Sequence, residues 1–263
     1  MKKRFLLSSL LIFPAAIAAW LVFDRVEVPS GFYKSELAFL IAGLLSVVIS
    51  FFVSFSIASY AAGHGIPSVT PSHSPAWLVL NILFAMLVLL NILCRFTYFR
   101  PDIAYMLPLW AIAIAFECVA MICIYLRVIS KSASGPLSSV LLSLGPCLFF
   151  TADLLNRFFC SSVNRNNIPL MVSFLSCGSL AVTALRMMQT VSADEPSAQR
   201  LFLSSALCSL VFCIGLRLPS LVYYLRLGNL YEISCLAMDC IAAIVLYQEA
   251  YLTIPAAEAE DRR

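Results

Sequence analysis

The run from Leu37 to Ala62 contains no charged side chain, and seven other stretches of the chain approach it in length and apolarity. About 20 consecutive apolar residues span the hydrocarbon of a bilayer, so runs of this kind constrain the fold more than any other feature. Of 263 residues, 62% are hydrophobic and 12% charged, against about 25% charged in an average soluble chain. A large buried core does not by itself require such a composition, because a soluble protein keeps a charged surface. The expected class is all-α: a polytopic membrane helix bundle of about eight transmembrane helices arranged as hairpins.

The spans predicted from hydropathy and turn residues are 5–23, 37–62, 76–99, 103–126, 137–162, 169–189, 200–225 and 230–252, in a single integral membrane domain covering 1–263. Residues 253–263 form a charged C-terminal tail. The first run has a basic start, Lys2-Lys3-Arg4, and Ala16-Ile17-Ala18 would suit a signal peptidase. It is read as an uncleaved helix because the apolar run continues through Trp20-Leu21-Val22-Phe23. In the second run, Ala42, Ser46, Ser50, Ser54, Ala58 and Ala62 recur every fourth residue. That row of small side chains is a packing face for a neighbouring helix.

Several function classes find no support. No basic cluster larger than Lys2-Lys3-Arg4 exists, so no nucleic-acid partner is expected. The ten cysteines lie mostly within apolar runs, where a thiol is a small filler. Cys118/Cys123, Cys208/Cys213 and Cys235/Cys240 share a five-residue spacing, which turns partners roughly 140° apart on a helix. His64 and His73 share one loop with no third ligand nearby, so neither metal nor cofactor is expected. No phosphate-binding glycine loop, zinc-protease motif or nucleophile elbow is present. The chain is not expected to be an enzyme, and an ATP-driven process would need a separate energising subunit.

The charges inside the apolar runs carry the remaining information. Arg95, Arg157 and Arg217 lie near the ends of three alternate runs, with Glu117, Asp153 and Asp239 also inside the hydrophobic zone. A lone charge at the bilayer centre costs about 2.5–3.5 kcal/mol on the insertion scale, so these groups are expected to neutralise one another. Asp153 and Arg157 are spaced i, i+4, as are Asn91 and Arg95. Arg217 and Asp239 each lie 11 residues from Gly228, in the turn Gly228-Asn229. In a helical hairpin that places both roughly 16 Å from the turn. Glu117 matches Arg95 less well, unless that hairpin turns nearer Met106 than Pro101.

An internal repeat underlies this arrangement. Glu117-Cys118-Val119-Ala120-Met121-Ile122 aligns with Asp239-Cys240-Ile241-Ala242-Ala243-Ile244 at an offset of 122, and Arg95 to Arg217 has the same offset. Two parallel halves of four helices each would follow, as in parallel-repeat transporters.

Two functions fit these features. In the first, a transporter or the membrane subunit of one, Arg95, Arg157, Arg217 and Asn91 bind a small anionic substrate. Glu117, Asp153 and Asp239 then couple to protons or ions. In the second, a non-transporting sensor or assembly protein, the same charges are structural pairs that fix helix register. The basic start places both termini in the cytoplasm of a bacterial cell with the chain in its inner membrane, although nine basic residues inside against eight outside is a weak bias.

Overall fold

The computed structural model describes residues 2–23, 75–98, 107–129, 136–160, 168–193 and 196–254. Among them every element is helical, forming seven rods. The first, α1, joins Lys2–Ser8 and Ile12–Phe23 through a 3-10 turn at Ser9–Leu11. It is followed by α2 (Pro75–Tyr98), α3 (Leu107–Ile129), α4 (Pro136–Cys160) and α5 (Ile168–Ala193). The sixth rod, α6, runs as Pro196–Leu210, a π-helical Val211–Arg217, a 3-10 turn at Leu218–Ser220 and Leu221–Leu227. The last is α7 (Leu230–Leu252). Six of the seven are long and apolar enough to cross a membrane; α4 is the one outside that group. The predicted span 37–62, its row of small residues and the two histidines lie outside the described residues.

Burial is inverted relative to a soluble protein. On α3, Leu109, Ile112, Phe116, Val119, Ile122 and Leu126 are exposed, while Glu117 on the same helix is fully buried. On α2, Val79, Met86, Leu90 and Leu93 are exposed and Arg95 is fully buried. Soluble proteins rarely bury charged side chains completely while exposing contiguous apolar faces. These outer faces suit acyl chains, and the protein is read as a helical membrane protein in contact with lipid.

The helices pack in sequence, α2 on α3, α3 on α4, α4 on α5 and α5 on α6, while α7 contacts α2, α5 and α6. Asp239 on α7 is fully buried among these contacts. The approach of α3 to α4 is close because Gly145 has no side chain. A Cβ there would lie 2.8 Å from Cys123 Cβ and 3.2 Å from the Ala120 carbonyl. The first helix packs along the π segment of α6, where a Cβ on Gly215 would meet Ala15 Cβ at 2.9 Å. At its other end, Phe5 stacks on Tyr247 with centroids 4.7 Å apart, and the Tyr247 hydroxyl donates to the Phe5 carbonyl.

The boundaries follow local chemistry. Gly228 takes φ 66°, the left-handed conformation that closes a helix at low steric cost for glycine. Asn229 then caps α7, its side chain accepting from Glu232 N at 3.1 Å. The π turn is a departure from the regular helix predicted over 200–225. Pro219 cannot donate to the carbonyl four residues back, at Gly215, and its ring would crowd that carbonyl in a regular helix. The wide turn ending at Arg217 accommodates it and re-aims the residues near it.

Candidate functional site

The inward faces of α2, α3, α4, α6 and α7 bring three arginines and four carboxylates into one alternating ladder. It begins at Glu117 on α3, which pairs with Arg95 on α2. Arg95 also pairs with Asp153 on α4. Asp153 meets Arg157 one turn along the same helix at 2.7 Å. Arg157 then crosses to Asp239 on α7 as a two-pronged fork, Nη2 to Oδ1 at 2.9 Å and Nη1 to Oδ2 at 3.0 Å. Asp239 Oδ2 receives Arg217 Nη1 from α6 at 2.5 Å. Glu232, in the first turn of α7, stands 3.7 Å from Arg217 Nη2.

Neutral groups complete it. Asn156 Nδ2 donates to Glu117 Oε1 at 2.8 Å. The Ser173 hydroxyl on α5 accepts from both Arg157 and Arg217, each at 2.7 Å, and its carbonyl accepts from Arg217 at 3.1 Å. The Cys177 thiol donates to Asp153 Oδ2 at 3.3 Å, and Arg95 lies 5.9 Å from the centre of the Tyr231 ring.

The structure therefore gathers Arg95, Glu117, Asp153, Arg157, Arg217 and Asp239 into one connected set. The expected i, i+4 pair and the cross-hairpin pair Arg217–Asp239 are both present. Two details differ from the sequence reading. Arg95 and Glu117, the less well matched pair by sequence, do pair. Asn91, expected beside Arg95 from the i, i+4 spacing, sends its amide across to Cys235 Sγ at 2.9 Å.

Sequence reasoning missed Asn156, Ser173, Glu232 and Cys177. The run holding Ser173 had no central charge to draw attention, and a serine in an apolar run usually bonds its own helix. Asn156 had a usable signal, because an amide one residue before a buried arginine needs a partner of its own.

Glu117, Asp153 and Asp239 balance Arg95, Arg157 and Arg217 one for one, and all six side chains are at most 4% exposed. That electroneutrality lets the set sit among apolar helices, since each carboxylate offsets a guanidinium within contact distance. A small cavity lined by Asn81, Phe84, Ile124, Pro146, Phe150 and Ala242 shares no residue with the ladder. No family model, curated protein or solved structure matches the chain. Its function is therefore argued from the chemistry of the ladder.

Proposed function

We propose that the chain is a non-transporting membrane protein, a sensor or an assembly partner of another membrane protein, in which the buried charges lock helix register. The observation that carries this reading is that Arg95 and Arg157 are each held between two carboxylates, with no exposure to solvent or lipid above 4%. An arginine that binds a substrate anion must present a free donor edge. To bind one, Arg95 or Arg157 would first have to break a buried pair, which costs about 3–5 kcal/mol when one partner is lost.

The rival reading is transport, with Arg95, Arg157, Arg217 and Asn91 on the substrate and Glu117, Asp153 and Asp239 coupling to protons. It draws support from sequence spacing: the members of the pairs Glu117–Arg95 and Asp239–Arg217 are related by one offset of 122, the offset that two parallel halves of four helices would give. In either reading the chain lies in a bacterial inner membrane with both termini cytoplasmic, on the strength of its basic start.

Vesicles reconstituted with the protein and challenged with gradients of inorganic phosphate, short carboxylates and protons separate the two. The expected result is flux equal to that of empty vesicles, together with a stoichiometric membrane partner retained in mild detergent. Saturable flux that Asp239→Asn abolishes would establish the transport reading instead.

A further inference from the structure

The ladder is unfinished at one end. Arg217 is fully buried, and its Nη1 corner is engaged by Asp239 and Ser173. Its Nε and Nη2 have no hydrogen-bond partner among the described residues. Glu232 stands before that edge, 3.7 Å away and beyond hydrogen-bond reach, and its Oε2 is unpartnered as well. Unlike the three inner acids, the Glu232 side chain is 17% exposed. It lies three residues past the exposed Asn229, in the first turn of α7.

An Nε–Nη2 edge offers two parallel N–H groups at the spacing of two oxygens of a carboxylate or phosphate. A helix N-terminus adjacent to it favours negative charge further. The six inner charges already cancel, so Glu232 is the surplus acid, and replacing it by another monoanion leaves the charge balance of the interior unchanged. The loose contact is what a displaceable group shows: within ion-pair distance of Arg217, too far to hydrogen-bond it.

We propose that the Nε–Nη2 edge of Arg217 is a binding site for an oxyanion, a carboxylate or a phosphate, which enters by displacing Glu232. This deepens the sensor reading by giving it a ligand class, and the rest of the ladder stays closed while the site fills. The oxyanion comes either from solution or from the headgroup of an anionic lipid.

The test is the thermal midpoint of purified protein in phosphatidylcholine nanodiscs, titrated with inorganic phosphate or acetate against sodium chloride of equal ionic strength. A parallel arm replaces part of the lipid with phosphatidylglycerol and omits soluble anion. Glu232→Gln removes the internal competitor, so it is expected to saturate at an anion concentration at least about tenfold lower than wild type, a factor that corresponds to one displaced weak ion pair. Arg217→Lys in the Glu232→Gln background keeps the charge that Asp239 needs but loses the fork, and it is expected to show no response. A response to phosphate or acetate identifies a soluble ligand, and one confined to phosphatidylglycerol identifies a lipid headgroup. Either supports the site. The proposal is overturned if Glu232→Gln responds in neither arm, or if the response survives Arg217→Lys. Phosphate flux in vesicles would count against the non-transporting reading while leaving binding at Arg217 untouched.

Discussion

Asp239→Asn is expected to lower the thermal midpoint of the purified protein by about 10 °C, corresponding to about 3–5 kcal/mol for a buried pair that loses one partner in a domain of this size. Asp239 serves two arginines at once, through the fork to Arg157 and the contact to Arg217. The amide has no charge to offer either. Among the described carboxylates it leaves Arg157 facing Asp153 and Arg217 facing Glu232 across the loose contact. Size and shape barely change, so the loss reads charge and not packing. Scanning fluorimetry in detergent measures it, and a shift under about 2 °C would mean that Asp239 is not the shared counter-ion.

Gly145→Leu is expected to be nearly as damaging, at about 3 kcal/mol for overpacking a site that cannot yield. The obstruction at Gly145 includes backbone, the Ala120 carbonyl at 3.2 Å and Ile124 N at 3.3 Å from the added Cβ. Flexible side chains can move aside, but a helix backbone moves only as a rod. Relief therefore requires α3 and α4 to separate, which pulls Glu117 away from Asn156 and the Arg95 pair away from Asp153. Gly178 is the control, since nothing lies within 4 Å of a Cβ there, and Gly178→Ala should leave the midpoint unchanged. Comparable losses in size-exclusion monodispersity for the two variants would contradict a specific close approach at Gly145.

Much of this architecture is legible in the residues themselves. Gly228-Asn229 announces a helix stop followed by a cap, which fixes the last hairpin and sets Arg217 opposite Asp239. The spacing of Asp153 and Arg157 fixes a pair within one helix. Both inferences need only helical geometry over one or two turns. Which distant helices meet is a different matter. Periodicity assigns each residue a face and a depth, but the link from Arg157 to Asp239 and that from Arg95 to Asp153 depend on how α2, α4 and α7 are arranged around one another. Apolar helices in lipid have many nearly equivalent neighbours, and close packing at small residues such as Gly145 selects among them. The π turn was signalled by Pro219, whose effect is to widen the preceding turn where a sharp kink was an equally good solution. Ser173 left no comparable signal, because its role depends entirely on two arginines contributed by other helices.

The same dependence explains why the charges are informative on their own. Each ion costs several kcal/mol to remove from water, so three arginines would not persist inside an apolar bundle unless their partners were in place. The set consequently behaves as one unit, in which removing a single member harms more than removing a matched pair.

Arg157→Gln, Asp153→Asn and the double variant test that statement most directly, through their thermal midpoints under identical detergent conditions. Arg157→Gln leaves three buried acids facing two arginines, whereas the double variant leaves Glu117 and Asp239 matched to Arg95 and Arg217. The double variant is expected to be more stable than Arg157→Gln alone, with a coupling of about 1–3 kcal/mol. Midpoint losses that simply add would contradict it, and would leave the arginines as independent residues in an apolar bundle.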